Sequence, residues 1–305
     1  MSECAGNGQH AAARFSAVLK HLAKTLAWFA LVLVLHACAD ASVWVGRPII
    51  PNSPARNNHP NERVLVVVSS HAELADSGRK TGYWLSEVTH FYHALARHGF
   101  DLDVVSPDGR PAQMDPASED LDDPLNRTFL EDPVLRAKLE RPLAPAEVDA
   151  SQYAVIYYAG GHGTMWDFTH ASQVATIARE IYERGGIVSA VCHGPSGLLN
   201  LEQKDGTKLI AGRNLTGFSN FEERLSGKRA VVPYLLADEL VKNGGHYSSA
   251  LFPFASHVVV DGRLITGQNP ASATDVGEAV VRALASTRVG SVPLATFGRT
   301  LIQMQ

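Results

Sequence analysis

Cysteine is scarce in this chain. The 305 residues hold three, Cys4, Cys38 and Cys192, too far apart for a disulfide framework or a paired-cysteine zinc ribbon. An excess of basic residues is missing too. The net charge is −4 and Lys and Arg are scattered without aromatic interleaving, which argues against a nucleic-acid partner. No internal repeat is visible, so a solenoid is excluded. Apolar runs of membrane-span length are also lacking: the longest, Leu26 to Leu35, falls well short of about 20 residues.

That short run has a setting of its own. Arg14, Lys20 and Lys24 precede it, and Ala37-Cys38-Ala39-Asp40-Ala41 comes after it, the order of basic, apolar and small residues found in export signals. Residues 1–41 are therefore expected to be a signal peptide or an N-terminal membrane anchor. The chain is expected to be exported to a periplasm or anchored to a membrane rather than cytoplasmic. Residues 42–62, with Pro48, Pro51, Pro54 and Pro60 among Asn and Ser, read as a linker.

From Arg63 onward the pattern is that of strands alternating with helices. Val64 to Val68, Asp101 to Ser106, Ala154 to Tyr158 and Ile187 to Val191 are apolar, β-branched runs suited to strands buried on both faces. Between the first two, Tyr83 to His98 places Trp84, Leu85, Val88, Phe91, Tyr92 and Leu95 on one helical arc, with Glu87 at its edge. Further helices are expected over Ala171 to Arg184, around Leu235 to Lys242 and over Ser272 to Leu284. Asp261-Gly262 is expected to turn a hairpin. The whole predicts an α/β fold over residues 63–288: a doubly wound, mostly parallel sheet with helices on both faces. Residues 107–149, acidic and proline-rich, are expected to form a cap insertion, and residues 289–305 a C-terminal tail.

The stretch that carries chemistry is Gly185 to Leu199, GGIVSAVCHGPSGLL. The strand stops at Cys192, Gly194 permits a tight turn, and Pro195 suits a first helical position. A thiol beside a helix N-terminus is favoured as thiolate, and a nucleophile on a strand-to-helix turn is the geometry of a nucleophile elbow. The third strand runs into Gly160-Gly161-His162-Gly163, where glycines let backbone N–H groups approach a ligand as an oxyanion hole requires. His162 has no second ligand at metal spacing, so no metal is expected. Ser69-Ser70, the Gly160–Gly163 loop and Cys192 all fall at C-terminal strand ends, where such sheets place their sites.

Five motifs in order, Ala190-Val191-Cys192-His193-Gly194-Pro195, Ala159 to Thr164, the helix carrying Glu87, Leu215-Thr216-Gly217-Phe218, and Asp261 to Ser272, resemble the ThiJ/PfpI superfamily, with its flavodoxin-like, class I glutamine amidotransferase-like fold. Within it the chain is similar to the glyoxalase III and heat-shock chaperone branch. The resemblance implies Cys192 as nucleophile, His193 and Glu87 as its acid–base partners, and Glu223 as the acid completing a triad, with Glu222 as the neighbouring alternative. It implies an oxyanion site at Gly161 with Gly160 and His162 beside it. The implied activity is a cofactor-independent lyase reaction of the hydro-lyase type, converting methylglyoxal to lactate without glutathione. The implied partners are a small reactive aldehyde and, for assembly, a homodimer. The alternatives are a cysteine amidase or peptidase, and a holdase chaperone or redox sensor. No His-x-Glu pair occurs downstream of Cys192, which argues against a glutaminase.

Overall fold

The computed structural model describes residues 63–289. The signal or anchor expected over 1–41, the linker at 42–62 and all but the first residue of the 289–305 tail lie outside the described residues.

The apolar runs become the strands that their composition predicts. Arg63–Val67 (β1), Leu102–Val105 (β2), Tyr153–Tyr158 (β3) and Ile187–Val191 (β4) are parallel neighbours, with Leu65 aligned to Ile156 and Ile156 to Val188. Val64 to Val67 and all of β4 are buried, as strands covered on both faces must be. Asn214–Leu215 (β5) and His246–Tyr247 (β6) form a separate two-stranded pair. Val258–Asp261 (β7) and Leu264–Gly267 (β8) make the hairpin expected at Asp261-Gly262, and β8 joins β4 in parallel. The main sheet thus runs β2-β1-β3-β4-β8-β7, parallel except for the edge strand β7.

Helices flank this sheet, the doubly wound arrangement that the alternating pattern predicts. Leu85–Ala96 (α1) turns Leu85, Val88, Phe91 and Leu95 inward. Phe91 stacks on Tyr157 at 3.6 Å between ring centroids, and the Tyr157 hydroxyl donates to the carbonyl of Glu87 at 2.9 Å. The helix carrying Glu87 is therefore fixed to the strand that leads into the glycine loop. Pro124–Glu131 (α2) and Pro133–Glu140 (α3) come next, each opened by an aspartate that accepts from backbone N–H groups and by a proline in the first turn, a capping pattern legible in Asp123-Pro124 and Asp132-Pro133. Residues 107–149 are tied to the body: Phe129 is fully buried, Asn126 accepts from Thr89 of α1, and Leu143 donates to Val104 of β2. Thr164–Asp167 (α4), Ser172–Glu183 (α5), Asn220–Leu225 (α6), Leu236–Lys242 (α7) and Ala273–Val289 (α8) complete the chain.

Among the described residues no helix is long and apolar enough to cross a membrane; the longest, α8, has 17 residues and alternates a buried stripe with polar positions.

Candidate active site

The loops after β1, β3, β4 and β8 meet at one end of the sheet. Ala159 donates to Val67 at 3.1 Å, Cys192 to Gly267 at 2.9 Å, and Phe218 to the Cys192 carbonyl at 2.8 Å. The Thr164 hydroxyl lies 2.9 Å from the Gly161 carbonyl and 3.1 Å from that of His193, linking the glycine loop to the elbow.

Cys192 sits at the apex with φ +57°, a left-handed conformation that a side chain adopts at a cost of about 1–3 kcal/mol. The helical segment after it is shorter than the sequence suggests: a 3-10 turn over Gly194–Leu198, too brief to build a macrodipole. Two glycines make the apex fit. A Cβ on Gly194 would lie 2.1 Å from the Tyr158 carbonyl, and one on Gly160 would lie 2.6 to 2.8 Å from the Val191 carbonyl, the His193 nitrogen and the Glu87 carboxyl.

The thiol is 4% exposed. Burial, joined by the nearby Glu87 carboxyl, pushes it up, and the Gly161 N–H works against them. The expectation that a helix terminus alone favours the thiolate is thereby corrected: desolvation outweighs a five-residue turn. Glu87 has the same burial. Its Oε2 accepts from the Gly160 N–H at 2.7 Å, while Oε1 is buried with no hydrogen-bond partner among the described residues. Burial raises this carboxyl to about 8, against the pull of Cys192 and Gly160, so it carries a proton at neutral pH. A neutral carboxylic acid beside a thiol can donate to the sulfur once that sulfur is charged.

His193 faces the sulfur through Nδ1 at 3.3 Å and Glu223 through Nε2 at 2.7 Å. Glu223 also accepts from His162 Nε2 at 3.0 Å and from the Ser226 hydroxyl at 3.1 Å. Burial works to raise the Glu223 carboxyl, but the two histidines hold it well below the usual carboxylate range. Cys192, His193 and Glu223 therefore form a continuous line from sulfur to imidazole to carboxylate.

The structure brings Cys192, His193, Glu87, Glu223, Gly161 and His162 together, though not all as expected. The Gly160 N–H is committed to Glu87 and so is not an oxyanion donor. His162 turns toward Glu223 and Lys228. Glu222 caps α6, accepting from the N–H and hydroxyl of Ser219, and binds Phe254 N and the Asn269 amide. The sequence held this signal: Ser219-x-x-Glu222 is a capping box, which leaves Glu223 for the site. Asp167 is marked by no motif. It grips the Ser69 hydroxyl and the N–H groups of Ser70 and His71, and burial raises it to about 6 despite those bonds. Lys228, with its ammonium 3.4 Å from His162 Nδ1, lies in a polar turn with no sequence signal.

His162, His193 and Glu223 place donor atoms within 4.8 Å of one another, a metal-ligand spacing. Both imidazoles already spend a nitrogen on Glu223, and the Lys228 ammonium would repel a cation. The set is a hydrogen-bond network.

The model of the DJ-1/PfpI family matches residues 80–283. The chain is 32% identical over 231 residues to the glutathione-independent glyoxalase HSP31 of Saccharomyces cerevisiae, covering 70% of this chain and 93% of the relative. Among solved structures it is similar to the Rapid Encystment Protein REP24 of Francisella tularensis (39% identity, TM-score 0.70, 73% of this chain and 99% of that one). It is also similar to glyoxalase III from Candida albicans (29% identity, TM-score 0.68, 73% and 98%). These proteins are matched over nearly their whole length by the domain alone. The expectation of an exported or membrane-anchored protein is corrected against these glyoxalase relatives, which give it no support; residues 1–41, on which it rested, lie outside the described residues. The family match over residues 80–283 and the near-complete coverage of these relatives place this chain in the DJ-1/PfpI family.

Proposed function

We propose that this chain is a glutathione-independent glyoxalase that isomerises a small 2-oxoaldehyde, methylglyoxal, and hydrolyses the product to lactate. The observation that carries the reading is the pair of acid–base systems around one sulfur: the Cys192–His193–Glu223 line and the buried, protonated Glu87. The names of the relatives support it. So does the near-complete burial of Cys192, which suits a small substrate.

His193 accepts the thiol proton as sulfur adds to the aldehyde carbon, and Glu223 stabilises the imidazolium. The Gly161 N–H, which interacts with the sulfur, is placed to steady the oxygen that becomes negative. Glu87 gives its proton to that oxygen and, as the carboxylate so formed, takes the C1 proton and returns it to C2 through an enediol; the hydroxyl proton passes between the two oxygens. The product is a lactoyl thioester on Cys192. Water attacks the carbonyl of that thioester and gives a proton to the Glu87 carboxylate, the C–S bond breaks, lactic acid leaves, and the thiolate takes back its proton from His193, which restores the starting enzyme. The overall change is addition of one water to methylglyoxal, a hydro-lyase reaction in reverse, and the homodimer belongs to the same reading.

A holdase reading is favoured by a separate observation. Leu251 and Phe252 are 89% and 71% exposed, beside a groove of about 410 Å³ lined by Phe221, Val241 and Leu251. One experiment tests both. Lactate formation from methylglyoxal without glutathione is expected for the wild type and is expected to vanish in Cys192→Ala. Full lactate formation by that variant would sink the mechanism. Suppression of client aggregation by it, with no lactate formed by either protein, would favour the holdase.

A further inference from the structure

Glu223 serves two histidines, and its single charge can properly stabilise only one imidazolium. We propose that Lys228 and His162 act as positioning residues that reserve this charge for His193, an inference that rests on the Cys192–His193–Glu223 reading above.

Hydrogen-bond chemistry fixes the state of His162. A lysine ammonium has three donors and no acceptor. The Lys228 ammonium stands 3.4 Å from His162 Nδ1, so that nitrogen must present its lone pair. The proton is then on Nε2, which donates to Glu223 Oε1 at 3.0 Å. A second proton on the ring would have to sit on Nδ1, against the ammonium. Among the described residues Lys228 forms no ion pair with a carboxylate; its ammonium is directed at the imidazole. The titratable groups facing the ring are Glu223 and Lys228, from α6 and the turn after it, and His193 from the elbow, with 4.1 Å between the two ring centroids. Phe218 faces it edge-on from the segment after β5. Burial, then the neighbouring His193, then Lys228 push His162 down to about 3, with Glu223 opposing.

The consequence is a division of labour between two rings bound to one carboxylate. His162 stays a neutral donor that, with the Ser226 hydroxyl, holds Oε1 in place. His193, which has the thiol on its other nitrogen, is the ring that receives the proton. Without the ammonium, His162 can take a proton on Nδ1 and draw the Glu223 charge to itself, which leaves less of that charge to support proton transfer from the Cys192 thiol to His193.

The test is imidazole nitrogen NMR on the full chain labelled at histidine, alongside the rate of Cys192 alkylation by iodoacetamide between about pH 5 and 9. His162→Gln identifies the His162 signals among the 13 histidines. Wild type is expected to show His162 as the neutral Nε2–H form at pH 7. In Lys228→Met, His162 should take up its proton about one pH unit higher or more, the effect of a removed neighbouring charge. Cys192 alkylation at pH 7 should slow several-fold. Lys228→Arg should restore both, which a merely structural role of Lys228 in its turn would not require. Finding His162 cationic or as the Nδ1–H form in wild type at pH 7 would overturn the inference, and so would unchanged His162 titration in Lys228→Met. No readout uses a substrate, so a protein inert toward methylglyoxal would sink the proposed activity and leave this inference standing.

Discussion

Two buried carboxyls approach Cys192 and His193 from different helices, and they differ in charge. Glu87, on α1, is raised to about 8 by burial, against the pull of the Cys192 thiol and the Gly160 N–H. Glu223, on α6, has donors from two histidines and a serine and is held low. Burial alone would make both neutral. The two histidines beside Glu223 decide which becomes an ion, and a thiol between an acid and a base gains an uneven setting from that difference.

The comparison can be broken first at Glu223. Glu223→Gln keeps the shape but leaves the His193 imidazolium without an anion, and kcat should fall by about 10³- to 10⁴-fold in a lactate assay, the scale of the same change in serine triads. A loss below tenfold would show that His193 needs no anion. Glu87→Gln keeps a donor near the sulfur and removes the transferable proton, so kcat should fall on the order of 10²-fold.

Glu87 also gives the comparison a pH signature. Its folded-state pKa lies above its unfolded value of 4.5, so the folded state binds more protons between 4.5 and about 8. Its stabilising contribution is fully present below 4.5 and is lost as pH rises through about 8, at up to about 1.4 kcal/mol per pH unit. Denaturant melts at pH 5 and pH 8 should therefore show wild type losing stability relative to Glu87→Gln; parallel curves would mean that Glu87 is already ionised in the fold. The mildest change for chemistry is at Glu222. Glu222→Ala removes the acceptor for Ser219, Phe254 and Asn269 and should cost about 2–3 kcal/mol in denaturant melts, while thiol alkylation stays within a few-fold of wild type. An alkylation loss as large as that of Glu223→Gln would erase the distinction between the two neighbours.

Much of the fold and its elbow was legible in the sequence. Strand cores such as Val64 to Val67 and Ile187 to Val191 are apolar on both faces, and only a covered parallel sheet accommodates that. The elbow was legible because Cys192 needs Gly194 and Pro195 after it. What escaped depends on distance in space. The Gly160 N–H is spent on Glu87, 73 positions away, and no local pattern reports that pairing. Lys228 sits in an ordinary polar turn, and only the fold brings it to His162. The protonation of Cys192 escaped for a similar reason, since burial by distant segments, and not the local turn, decides it.

The crowding at Gly160 also bears on how this chain can vary. A side chain at position 160 would meet β4, the elbow amide and the helix glutamate at once, so no single compensating change relieves it. The contacts at positions 160 and 194 are with the backbone of Val191, His193 and Tyr158 and with the Glu87 carboxyl. Replacing the cysteine side chain alone would therefore leave both glycines as constrained as before, and a side chain at 160 is expected to be coupled to any change at 87.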